Sequence, residues 1–159
     1  MMQLTGDEPH GWTVRLPESA DVQLIKLTVR LEIVVGDVAG DRLEVFLDAP
    51  FVGHLVPDGP SVTLDPETVD PALGAFAVAL KYQQLTECRV GSDGTLSLRF
   101  ASGAAIDAPP HDTYESWEIV HERSEVSGEY FRLICGSGGD VAVWGDPSDD
   151  SAFSGSESG

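Results

Sequence analysis

Val90-GSDGTLSLR-Phe100, extended through Ser102-Gly103 into Ala104-AID-Ala108, is the stretch that decides the fold. Leu96, Leu98 and Phe100 alternate with Ser97 and Arg99, the period of a half-buried antiparallel strand. Asp93-Gly94 marks a two-residue turn before it, and Ala104–Ala108 supplies a return strand.

The same cadence recurs upstream. Val22–Val35 is the strongest strand-forming segment and reads as one continuous strand, with Leu27, Val29, Leu31 and Ile33 on one parity and Lys26, Thr28, Arg30 and Glu32 on the other. After Gly36–Asp41, Leu43, Val45 and Leu47 alternate with Arg42, Glu44 and Phe46. Phe46 breaks the polar parity, which points to a second layer or an exposed patch. The two ribbons pair Val29–Val35 with Leu43–Leu47, and Leu85–Val90 with Leu96–Phe100. Residues 1–11 read as a polar lead-in, with Trp12–Leu16 as a first short strand.

Between the ribbons, Phe51–Val56 and Val62–Leu64 flank a Pro57-Asp-Gly-Pro60 turn, after which the composition becomes helical. Asp65 before Pro66 and Asp70 before Pro71 are alternative caps. Leu73, Phe76 and Leu80 place one apolar stripe on a short helix near 71–80. Tyr114–Val120, Phe131–Cys135 and Asp140–Trp144 complete the strands, His121–Gly128 reading as a polar connection and Gly136-SGG-Asp140 as a tight turn. The expected architecture is mainly β: a curved antiparallel sheet, a sandwich or a partly open barrel of about seven to nine strands. Its expected core comprises Leu27, Val29, Leu31, Val45, Leu47, Phe76, Leu80, Leu96, Leu98, Phe100, Trp117, Leu133 and Trp144. Residues 1–144 are expected to form one β-rich domain; 145–159, rich in Ser and Gly with four acidic residues and no basic one, reads as a disordered tail.

Charge narrows the classes of function. Lys and Arg total 9 against 27 Asp and Glu, a formal net charge of −18. This argues against nucleic acid and anionic membranes as partners and favours a basic protein partner. It equally suits a soluble surface or a salt-adapted proteome. Cys88 and Cys135 lie in apolar alternating segments and read as buried, reduced and inert. Without a basic, apolar leader, a cytoplasmic location is the expectation.

Chemistry concentrates at Tyr114-ESW-Glu118, that is Tyr114, Glu115, Ser116, Trp117 and Glu118. Trp117 reads as inward-facing, with an indole N–H that needs an acceptor. Tyr114, Glu115, Trp117, Glu118 and Trp144 are the candidate partner- or ligand-binding residues. Glu115, Glu118 and His111 are the catalytic candidates, and would serve a small hydrolase if a cleft and burial brought the carboxylates together. Trp117 and Trp144 would line a small-molecule-binding barrel. The four histidines lack ligand spacing, the two cysteines form no metal motif, and Asp146–Asp150 lacks the alternating ligands of a calcium loop, so neither metal nor cofactor is expected.

The order of several short motifs is similar to a family of small, mostly actinobacterial proteins of unknown function. They are Gly11-Trp12, Leu64-Asp-Pro-Glu67, Asp93-GTLxLx-Phe100, the Tyr114-Glu-x-Trp117 element and Gly138-Gly-x-Val-Ala-Val-Trp144. The resemblance covers most of positions 11–144 and implies a compact β-rich fold without implying an activity. The reading that remains is a non-enzymatic acidic interaction module, with toxin neutralisation by an immunity-like protein as one concrete form.

Overall fold

The protein's structure, a computed structural model, describes residues 2–37, 40–68, 70–123 and 131–145. The chain runs through β1 (Gln3–Asp7), β2 (Gly11–Arg15), β3 (Asp21–Leu27), β4 (Leu31–Gly36), β5 (Asp41–Leu47), β6 (Phe51–His54) and β7 (Val62–Leu64). After helix α1 (Pro71–Leu80) come β8 (Leu85–Val90), β9 (Leu96–Phe100), β10 (Ala105–Ala108), β11 (Trp117–Arg123), β12 (Phe131–Cys135) and β13 (Val141–Trp144). One sheet has the order β1-β2-β8-β9-β10-β6-β7 and the other β13-β12-β11-β5-β4-β3. All pairings are antiparallel, and neither sheet closes into a barrel. The mainly-β reading with one short helix therefore holds, as two sheets.

Both sheets turn their alternating apolar residues into one core, built from Leu31, Ile33, Val45 and Ile119 on one side and Leu96, Leu98 and Ile106 on the other. The two ribbons read from sequence are present: β4 pairs with β5, and β8 with β9. Their connections differ from expectation. Val90 pairs with Leu96, so Gly91–Thr95 form the turn instead of Asp93-Gly94 alone. The Asp93 carboxylate accepts from both the backbone N–H and the hydroxyl of Thr95, each at 3.0 Å, an Asx turn that orders the loop.

Three other expectations are corrected. Val22–Val35 is a hairpin: Leu27 pairs with Leu31, the Thr28 N–H donates to the Arg30 carbonyl, and Val29 sits at the tip, 75% exposed. Leu27 is exposed beside it, so neither residue belongs to the core. The lead-in is a strand, because Met2 and Leu4 bury their side chains and β1 can then pair with β2. Trp144 lies on an edge strand and is 49% exposed, outside the core. The strand count reaches thirteen among the described residues because segments read as single strands or as lead-in divide into hairpins.

Asp70, not Asp65, caps α1: its carboxylate accepts from the Ala72 N–H at 2.9 Å, and Pro71 takes the first helical turn, where a missing N–H costs nothing. Asp65 instead organises the preceding turn through Glu67 and Thr68. Leu73, Phe76, Ala77 and Leu80 face the core, and Gly53 leaves room for the Phe76 ring, which a Cβ there would meet at 2.6 Å. No helix among the described residues is long and apolar enough to cross a membrane. The Asp146–Asp150 segment and the acidic tail lie outside the described residues.

One polar knot sits inside the core. Asp41, at the start of β5, accepts from the Met2 backbone N–H at 3.1 Å and from His121 Nε2 at 3.1 Å, and both side chains are buried. His121 extends β11 beyond where the sequence suggested a loop, and its ring stacks on Phe131. Replacing Asp41 with Ala strips both donors of their acceptor and is expected to cost about 3 kcal/mol. Urea unfolding checks this, with Asp41→Asn recovering part of the loss because one acceptor remains.

Candidate functional site

Tyr114–Glu118 marks the place where a surface loop enters β11, and strand alternation then sends its residues in opposite directions. Trp117 points inward and is fully buried. Its indole N–H donates to the Gly94 carbonyl at 2.9 Å, the acceptor that its burial requires. Gly94, at φ +90°, meets Gly139, at φ +96°: a Cβ on either would lie 2.6 Å from a backbone oxygen of the opposite turn. The turn before β9 and the turn before β13 therefore touch backbone to backbone. The ordered Asp93 carboxyl in the first turn titrates below its usual range, chiefly because it accepts from the Thr95 backbone N–H.

Glu118 points the other way, onto the outer face of the six-stranded sheet. Its cross-strand neighbours are Phe46 on β5 and Ile134 on β12. Arg132 Nε donates to Glu118 Oε1 at 2.6 Å, and the guanidinium lies 5.9 Å from the centre of the Trp144 ring. On the other side, Arg30 lies 4.3 Å above Phe46, with Nη2 at 3.8 Å from Glu118 Oε2. Arg30 is also held by both oxygens of Asp48 at 2.8 Å, and that hydrogen bonding holds its guanidinium still more firmly in the charged form. The result is a continuous array, Phe46–Arg30–Glu118–Arg132–Trp144, spanning the sheet from β5 to β13.

The remaining candidates lie at the loop end. His111 stacks on Tyr114 with ring centres 3.8 Å apart, and its Nδ1 accepts from the Thr113 N–H. Glu115 and Tyr114 are exposed. The structure thus joins Glu118 with Trp144 through Arg132, and His111 with Tyr114, but buries Trp117 away from both. Among the described residues, no three His, Cys, Asp or Glu side chains cluster as a metal site would require. Sequence reading missed Arg30 and Arg132; the available signal was Phe46, an aromatic on a polar parity that needed a cover.

Two clefts adjoin the interlocked turns. One of about 220 Å³ runs between Glu8, Trp12, Asp140 and Val141, and one of about 450 Å³ between His10, Trp12, Arg89 and Asp93. Neither contains a cysteine. Both cysteines are free and buried. Burial pushes the Cys88 thiol up from 9.0 to about 12 and raises that of Cys135.

The folded state therefore keeps the Cys88 proton at pH values where an unfolded chain has lost it. The corresponding stability is intact below about pH 9 and drains as pH rises toward 12. A thiol reagent at neutral pH is expected to label neither cysteine before unfolding, and Cys88→Ala is expected to shallow the alkaline fall in stability. Rapid native labelling of Cys88 would contradict this.

Among comparisons with known proteins, one family model matches residues 14–145, and the chain belongs to that family, a family of unknown function (DUF6188). No curated protein and no solved structure matches.

Proposed function

We propose that this member of a family without an assigned activity is a non-enzymatic interaction module that docks a basic protein partner on the outer face of its six-stranded sheet. The observation that carries the reading is the Phe46–Arg30–Glu118–Arg132–Trp144 array. Arginine and tryptophan are the side chains that most often dominate binding energy at protein interfaces. Here each guanidinium is already pinned by a carboxylate, so little side-chain freedom is lost on binding. Trp144 remains half exposed as an anchor.

The charge distribution supports the same partner. Lys26, Arg30, Arg42 and Arg132 share this face with Glu32, Glu44, Asp48, Glu118 and Glu122, a near balance in a chain of net charge −18. The whole-chain field steers a cationic protein, while the balanced face receives it without massing like charge at the contact. An immunity-like role, in which the partner is a basic toxin, is one form of this reading. A reducing cytoplasmic setting suits the two free thiols.

Hydrolysis is less well supported by the geometry. Glu118 is engaged by two guanidinium groups on an open sheet face, whereas Glu115 lies on a loop before the strand. A ligand-lined barrel is not favoured either, since Trp117 is in the core and the sheets stay open.

The test is capture from native extract at low and moderate salt, followed by affinity measurement with the purified partner. A basic protein is expected, with an association rate that falls as salt rises. Trp144→Ala is expected to weaken it by about 30-fold, roughly 2 kcal/mol, with an unchanged melting temperature. Full-strength binding by the Trp144 variant, or enrichment of no basic protein, overturns the proposal.

A further inference from the structure

Four strands end the two sheets among the described residues, and three of them are protected against pairing with another chain. β7 has three residues and follows Pro60. β3 carries a register shift between Val22 and Leu24 together with exposed Lys26. β1 contains Gly6 at φ +127° and ends on exposed Asp7. β13, Val141-Ala-Val-Trp144, carries no charge, no proline and no register shift. An apolar edge without a guard is a template for strand addition.

The ladder shows which backbone groups are available. The Gly136 N–H donates to the Asp140 carbonyl at 2.8 Å, so that opposed pair is hydrogen-bonded. Bonded and non-bonded pairs alternate in an antiparallel ladder, which makes Ile134–Ala142 and Arg132–Trp144 the next bonded pairs. Val141 and Val143 therefore aim their N–H and C=O groups away from β12, along an edge that no other described strand occupies. At the start of this edge, Asp140 and Val141 line the smaller cleft together with Glu8. At its other end stands the exposed Trp144 ring.

We infer that β13 is a strand-addition site for an extended segment that alternates apolar and basic side chains, pairing through Val141 and Val143. Its apolar residues would lie beside Val141 and Val143. Its basic residues would lie on the outer face beside Ala142 and Trp144, where a cation meets an aromatic ring, or reach Glu8 and Asp140 at the cleft. Charge selects this occupant over a second copy, because two chains of −18 repel. The inference rests on the docking reading above and specifies the form that the partner presents.

The probe is a synthetic peptide of alternating valine and lysine added to the full chain, read by amide hydrogen exchange. Its controls are an alternating valine–glutamate peptide and a valine–lysine peptide N-methylated at every valine. The Val141 and Val143 amides are expected to slow by about tenfold or more with the first peptide and with neither control. Val143→Pro removes an edge N–H that β12 does not use and is expected to abolish the protection with little change in melting. Ala142→Lys, which guards the edge, gives the same readout should the proline variant fail to fold. Unchanged exchange at Val141 and Val143, equal binding of the N-methylated peptide, or protection that grows with protein concentration alone overturns strand addition. If a basic partner still depends on Trp144 in that event, the docking reading stands; if no such partner exists, the docking reading falls whatever the peptide does.

Discussion

The hydrogen bond from the Trp117 indole to the Gly94 carbonyl joins the two sheets at the end where most of the polar and aromatic features gather. Trp117 begins β11 in one sheet, and Gly94 sits in the turn between β8 and β9 of the other. A buried indole without an acceptor is costly, so the turn must approach that closely. Only glycine lets it do so while the opposing Gly139 turn occupies the same space. Once Trp117 is anchored inward, the two-residue period of the strand leaves Glu118 no direction but outward. The placement of the surface array is thus a consequence of a core contact one residue away.

That surface array is held by mutual restraint. Glu118 alone would be a mobile carboxylate on a sheet, and Arg30 and Arg132 would be flexible cations. Together, and with Asp48, they fix two guanidinium planes over two aromatic rings. Each of these ion pairs is partly solvated, so the array contributes modestly to stability and chiefly sets geometry. Four of the chain's nine Lys and Arg residues lie on this face, which brings it near charge balance in a chain of net charge −18.

Much of the fold was legible where alternation was bounded by unambiguous turn residues. β8, β9 and β10 are separated by Asp-Gly and Ser-Gly, and both the strands and their pairing emerge as read. The β3–β4 hairpin was not legible for a specific reason. A three-residue connection keeps odd positions in phase on both sides, so Leu27 and Leu31 look like members of one strand, and Thr28-Val29-Arg30 contains no residue that announces a turn. β1 was hidden because Gln3, Thr5 and Asp7 mask the single buried Leu4. The inward Trp117 was readable from parity, whereas its partner at Gly94 was not. Arg30 reaches Glu118 from a turn and Arg132 from a neighbouring strand, a meeting that only tertiary pairing reveals.

The order in which strands pair has a consequence for how the chain acquires its shape during synthesis. β2 finds its second neighbour only at β8, β6 only at β10, and β5 only at β11. A growing chain can close the β4–β5 hairpin early, yet it leaves the other side of β5 unpaired until residues beyond Trp117 have been translated. Long-range pairing of this kind slows folding and prolongs the interval in which apolar strands are open to misassembly. The heavy negative charge then acquires a use before any partner is met: nascent and incompletely folded chains repel one another while β5 awaits β11.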